Sequence, residues 1–220
     1  MTQVLILEEV DLVARGMQRD IYLHPTDTTK LVKVLRKNPD TVGRSGFGNF
    51  MEKHFPMTRA RHIRKEYTEY LRVMLSNREA SFHIPITHMF GFAHTQFGLG
   101  CVTERVTTRS GALAKTLETL IRHEGITPRN LDLLNDTTKR LYQLDIRASD
   151  LTAKNLVFGR RNGGPKECVL VDGFGDIHAV PVRSMAGWSN RIGLDDSFKR
   201  LAQRTHLSWN GKTRQFAKAA

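Results

Sequence analysis

Residues 150–175 read DLTAKNLVFGRRNGGPKECVLVDGFG, and this stretch constrains the chain more than any other. Two short apolar runs, at 155–158 and 168–171, flank a turn-rich segment at 159–166 whose centre is Gly163-Gly164-Pro165. That pattern predicts a β-hairpin. Asp150 and Asn155 stand before or at the start of its first strand, and Asp172 ends its second. A hairpin returns its strand ends to one side, so a carboxylate, an amide and a second carboxylate can meet there. Phosphoryl transfer on a nucleotide calls for such a set. One carboxylate orients or takes a hydroxyl proton, while an amide oxygen and the other carboxylate hold magnesium against phosphates. Each residue alone is a weak signal; the order D-L-x-x-x-N, strand, turn, strand, D-G-F-G is a stronger one.

The rest of the chain supplies a setting for that stretch. Residues 4–13, 19–23 and 31–35 read as three short strands of an antiparallel meander. Lys33 lies in the middle of the third, between Leu31 and Leu35 on its own side. Two readings compete there: an exposed lysine with its stem along the sheet, or a point charge that faces phosphates. Residues 37–56 form a Gly-, Asn- and Pro-rich loop, in which Ser45-Gly46-Phe47-Gly48 is a weak phosphate-cradle signal. Residues 58–77 give the clearest helix, with an expected apolar stripe of Ile63, Tyr67, Tyr70, Leu71 and Met74. Glu66 sits at the edge of that stripe, and it reads equally as a cleft residue that pairs with a strand lysine or as a solvated carboxylate. Glu69 has Lys65 and Arg72 at helical spacing and is expected on the surface.

Residues 84–93 and 99–106 read as two further strands, which completes a five-stranded sheet with one helix. Residues 107–111 (TTRSG) form a polar connector and the expected boundary between two lobes, 1–106 and 107–220. A helix over 112–123 is expected to end at Gly125, and Thr127-Pro128 to cap the next, which runs to about Leu144. Its buried face is expected to carry Leu131, Leu134, Thr138, Leu141 and Tyr142. A helix over 188–203 and a polar, basic, frayed tail over 210–220 complete the chain.

Composition narrows the function classes. A net charge of +12 attracts polyanions: nucleic acid, nucleotides, an acidic membrane surface or an acidic partner. A solvated basic surface is the competing explanation. An aromatic stacking signature or helix-turn-helix is not recognisable, which ranks nucleic-acid binding last. No apolar run approaches the roughly 20 residues that span a bilayer. The start, MTQVLILEEVD, lacks a basic n-region and reaches Glu8 and Glu9 early, so a cytoplasmic protein is expected. Cys101 and Cys168 sit in apolar runs and read as buried free thiols. The nine histidines show no metal-ligand spacing.

The order of elements resembles the protein-kinase-like fold. More closely, the chain is similar to the small bacterial YrbL family, the PhoP regulatory network protein YrbL. The matching phrases are G-x-x-R-x-I-Y-x-H-P (Gly16 to Pro25), K-L-V-K-V (Lys30 to Val34), R-K-E-Y (Arg64 to Tyr67), G-L-G-C-V-T-E (Gly98 to Glu104), D-L-T-A-K-N-L (Asp150 to Leu156) and V-D-G-F-G (Val171 to Gly175). The resemblance implies an α+β, two-lobed fold, with a five-stranded N-lobe sheet plus helix and a short, mainly helical C-lobe. It implies ATP and Mg2+ as cofactors and an unidentified phosphate acceptor. By position, Lys33 matches the phosphate-binding lysine, Glu66 its helix partner, Asp150 the catalytic-loop base, and Asn155 and Asp172 the magnesium ligands. Glu104 to Val106 match the hinge facing adenine, and Gly16 is what remains of the glycine-rich loop. Four departures stand out: Ala148 and Ser149 where protein kinases have His-Arg, the inserted Gly173, the lack of an A-P-E triplet and the short second lobe. A non-catalytic relative that keeps the fold, and with it nucleotide binding, is the alternative.

Overall fold

The computed structural model describes residues 4–16, 18–36, 60–77, 82–175 and 187–219, with the backbone alone for 187–189. The loop at 37–56 and its Ser45-Gly46-Phe47-Gly48 motif lie outside the described residues. The chain is a mixed α+β protein that divides into two compact units, Met1–Arg64 with His88–Arg105 and Lys65–Thr87 with Val106–Ala220.

The first unit is built on a five-stranded antiparallel sheet. Strands β1 (Leu12–Arg15), β2 (Arg19–Leu23), β3 (Lys30–Leu35), β4 (Met89–Thr95) and β5 (Gly98–Glu104) lie in the order β1-β2-β3-β5-β4. Side chains alternate between faces along a strand. On one face Tyr22, Val32 and Val34 therefore pack with Leu7, and Leu5 and Leu12 seal the cluster. Lys33 points from the other face of β3, in register with Ile21 on β2 and Cys101 on β5. The N-terminal segment protects the edge of β4. Leu5 N–H donates to the His94 carbonyl at 2.8 Å, and the Gln96 amide clasps the Leu7 backbone at 3.0 and 2.5 Å. An edge strand left bare would invite pairing with other chains.

Strand boundaries differ from the sequence reading in two places. The expected strand over 4–13 is cut short, because residues Glu9–Asp11 turn as a 3-10 helix closed by Asp11 N–H to the Glu8 carbonyl at 3.1 Å. The strand expected from residue 84 begins only at Met89. Pro85 cannot donate to a ladder; instead its carbonyl accepts from Leu170 N–H at 3.0 Å, and Ile86 bridges to Leu170 in the second unit.

The helix α1 (Arg61–Ser76) crosses the division after Arg64. The second unit then carries β6 (Lys115–Thr116), α2 (Leu117–His123), α3 (Pro128–Gln143), β7 (Leu156–Arg160), β8 (Lys166–Leu170), α4 (Gly187–Thr205), β9 (Leu207–Asn210) and β10 (Gln215–Lys218). The hairpin expected at 150–175 is β7–β8, paired from Leu156↔Leu170 to Arg160↔Lys166, with Asn162 and Gly163 at positive φ in its turn. The helix expected over 112–123 starts only at Leu117, because Lys115 and Thr116 pair with β7 as β6. Thr127 caps α3 as expected, accepting from Asn130 N–H at 3.2 Å, and Leu134, Thr138, Leu141 and Tyr142 are buried. Both cysteines are buried free thiols, and burial pushes Cys168 up to about 12.

The tail is not frayed. β9 and β10 pair from Leu207↔Lys218 to Asn210↔Gln215. Phe216 on β10 is 2% exposed and packs with Phe198 of α4 and Trp209 of β9 at ring distances of 5.6 and 4.8 Å. Asn135 of α3 exchanges two hydrogen bonds with the Phe216 backbone, at 2.7 and 3.0 Å. The polar, basic composition of residues 210–220 hides one aromatic anchor, and that anchor decides the structure.

Candidate active site

In the second unit, the segments around Asp150 and Asp172 are stitched together through backbone groups. The Gly173 carbonyl accepts from both Ser149 N–H and Asp150 N–H, each at 3.1 Å. Gly175 N–H donates to the Arg147 carbonyl at 2.8 Å, and Ser149 Oγ donates to the Gly175 carbonyl at 3.0 Å. Asn155 Nδ2 donates to the Asp150 carbonyl at 3.0 Å, and Val171 N–H to the Asn155 carbonyl at 2.8 Å. The Asp150 backbone is thus fully engaged while its side chain lies at an exposed position. Asn155 spends its amide nitrogen on the loop, which leaves its amide oxygen as the atom to meet a cation. Asp172 is half-buried, and its Oδ1 accepts from Gly173 N–H at 2.7 Å.

The inserted Gly173 has a structural reason. Its φ is +80°, where only glycine is unstrained. A Cβ there would collide with the Asp150 carbonyl oxygen and stand 2.8 Å from Asn155 Nδ2. The glycine is the contact surface between the two halves of the site.

Helix α1 buries carboxylates beside its apolar residues; of the expected stripe Ile63 is buried, Tyr67, Tyr70 and Met74 are half-buried and Leu71 is exposed. Its buried residues are Ile63, Glu66, Glu69 and Val73, whereas Leu71 and Leu75 are 43% and 75% exposed. Glu66 is 2% exposed, and its Oε1 accepts from Gly173 N–H at 3.4 Å. Glu69, expected on the surface, is also 2% exposed. It receives Arg72 Nη2 at 2.6 Å and Nε at 3.1 Å, and the Arg147 N–H at 2.8 Å. Arg72 reaches on to the Asp145 carbonyl at 2.7 Å, and its bond to Glu69 raises its pKa further above the usual value. A buried carboxylate is tolerable when it is paired and hydrogen-bonded in this way. These bonds to Asp145 and Arg147 also explain why α1 from Lys65 onward groups with the second unit and not, as its sequence position suggests, with the sheet.

The remaining expected site residues are spread over the two units. In the first unit, Lys33 is 4% exposed, so it is not the solvent-facing strand lysine of the simpler reading. Glu104 is 6% exposed, and its Oε1 accepts from His88 N–H at 2.7 Å. Gly16 makes the β1–β2 turn, its N–H on the Arg19 carbonyl at 2.8 Å; a Cβ would sit 2.9 Å from that oxygen. Val106 belongs to the second unit, buried with Ala114, Val157 and Val169, and its carbonyl accepts from Ala114 N–H at 3.0 Å.

Sequence reasoning put Glu69 on the surface, gave Lys65 and Ser149 no part in the site and passed over Arg147. Lys65 Nζ donates to Ser149 Oγ at 3.2 Å, so the residue beside Asp150 is held from α1. The Glu69 to Arg72 spacing was visible in the sequence; its burial was not.

These features define an α+β protein whose second unit locks an Asp-x-x-x-x-Asn loop onto an Asp-Gly-Phe-Gly segment. The family model of the PhoP regulatory network protein YrbL matches residues 5–206, and the chain belongs to that family. No curated protein matches it. Among solved structures it is similar to the Mycobacterium tuberculosis PknI kinase domain, C20A_R136A double mutant. The two share 13% identity over 87% of this chain and 72% of that chain, with a TM-score of 0.43. Among the described residues, no helix is long and apolar enough to cross a membrane.

Proposed function

We propose that this chain is a phosphotransferase of kinase-like build that uses ATP and Mg2+. One observation carries the reading: Gly173 bonds to the backbone of Asp150 and to the carboxylate of Asp172, and its missing side chain makes room for Asn155. The three residues that phosphoryl transfer asks for therefore each touch one glycine, Asp150 through its backbone.

Asp150, at an exposed position on a fixed backbone, orients or deprotonates the acceptor hydroxyl. The Asp172 carboxylate and the Asn155 amide oxygen are hard oxygen donors of the kind magnesium takes. Among the described residues, no group of three or more His, Cys, Asp or Glu could hold a metal. Magnesium in nucleotide sites is held by one or two carboxylates and keeps waters and substrate phosphates in its shell. When bound, ATP and Mg2+ supply the phosphoryl group and the charge that neutralises it. On the family resemblance, Lys33 binds phosphate, Glu66 is its helix partner, Gly16 is the remnant of the phosphate loop, and Glu104 to Val106 receive adenine.

A second reading has a specific basis. Ala148 and Ser149 replace the His-Arg that precedes the aspartate in protein kinases, which suits a module that binds nucleotide without turnover. Thermal melting of wild type and Asp172→Ala with and without ATP and Mg2+ tests both. A ligand that binds only the native state at roughly 100 times its dissociation constant adds about 2.7 kcal/mol. A magnesium-dependent stabilisation lost in the variant is expected; none in wild type would sink the nucleotide site. Binding without phosphate release or transfer would favour the module.

A further inference from the structure

Two glutamates one helical turn apart on α1 each grip a different half of the candidate site. Glu66 accepts from Gly173 N–H, in the Asp172 segment. Glu69 accepts from Arg147 N–H at 2.8 Å, three residues before Asp150. The Arg147 peptide is bonded on both sides: its N–H goes to Glu69 and its carbonyl receives Gly175 N–H at 2.8 Å. The Gly173 carbonyl then closes the circuit onto Ser149 and Asp150. Around this ring, α1, the Asp150 loop and the D-G-F-G segment fix one another.

We infer that Glu69 is a positioning residue for the candidate phosphoryl-transfer site, which it serves by holding the Arg147 peptide and hence the Asp150 loop against the Asp172 segment. The inference rests on the reading of Asp150 and Asp172 as site residues. Three features support it. Glu69 spends both carboxylate oxygens on this junction: Oε1 on Arg147 N–H and Arg72, Oε2 on Arg72, with the Arg147 guanidinium at 3.7 Å. Arg72 extends the grip to the Asp145 carbonyl, where the chain is held at φ +48°. Asp145 is gripped in turn by Asn190 of α4, whose Nδ2 donates to its carboxylate at 2.9 Å and to the Ile146 carbonyl at 3.3 Å. The segment that leads into Asp150 therefore has restraints from two helices, and Glu69 holds the N–H of the same residue whose carbonyl receives Gly175 of the D-G-F-G segment.

The test is backbone hydrogen exchange on the full chain, without nucleotide, in Glu69→Ala and in Leu134→Ala. The second variant is a control that destabilises the same unit from the buried face of α3. At matched residual stability, Glu69→Ala should speed exchange in peptides covering 145–151 and 171–175 by roughly tenfold or more relative to the control, the worth of a hydrogen bond to a charged group. Glu69→Gln, which keeps an acceptor for Arg147 N–H, should recover part of that protection, and it replaces Glu69→Ala should the latter not fold. Equal exchange in Glu69→Ala and the control would show an ordinary core residue and overturn the proposal. Titration of wild type with Mn2+ and ATP separates the two claims: no binding there would overturn the reading of the site, while the exchange result decides the role of Glu69.

Discussion

Helices α1 and α3 are both 16 residues long and both lie in or enter the second unit, yet only α1, of the two, adds charged side chains to what it buries. α3 presents Leu134, Leu141 and Tyr142 to the core, with buried Thr137 Oγ1 donating to the Cys168 carbonyl at 2.6 Å. α1 buries Glu66 and Glu69 and leaves Leu71 and Leu75 in solvent. Apolar periodicity locates the inner face of a helix that packs on side chains. It misses part of the inner face of a helix that also packs on backbone N–H groups and arginines, because carboxylates are then the complementary surface: Glu69 is buried where periodicity put Leu71. A helix that exposes leucines and buries glutamates has been shaped by what it holds.

The comparison is sharpest where each helix loses its buried anchor. Leu134→Ala in α3 leaves a cavity and costs about 2–5 kcal/mol. Glu69→Ala leaves the half-buried Arg72 and the Arg147 N–H without their carboxylate, and losing hydrogen bonds to a charged group costs about 1.5–3 kcal/mol. Urea unfolding should find the two similar; a Glu69→Ala cost below about 1 kcal/mol would put the carboxylate back on the surface in energetic terms. Gly173→Ala tests the segment that α1 holds. The positive φ alone costs of order 1–3 kcal/mol, and the collision with the Asp150 carbonyl adds to it, so stability and magnesium-dependent nucleotide binding should fall together. The smallest effect belongs to the apolar residues that α1 exposes. Leu75→Lys should change stability by no more than about 0.5 kcal/mol; a large loss would mean that Leu75 is covered in the working protein.

The sequence revealed most of the fold through local signals. The Thr127-Pro128 cap and the Gly163-centred hairpin each depend on residues a few positions apart and formed where local chemistry placed them, and the five strands formed in order, two of them shorter than expected. The order Asp150, Asn155, Asp172 was legible for the same reason: a hairpin needs only its own turn to bring its ends together. Family membership was legible from short phrases in a fixed order. Three features were not. The tail became a hairpin because Phe216 found Phe198, Trp209 and Asn135. Gly173 reads as an interruption of a known triplet until the Asp150 carbonyl is seen where its side chain would be. Glu69 has local partners that make it look like a surface residue, and its deciding bond is to a backbone N–H 78 positions away. Spacing along a chain encodes turns, caps and faces. Only the folded chain brings a distant N–H to a carboxylate and decides whether that charge meets water or a partner.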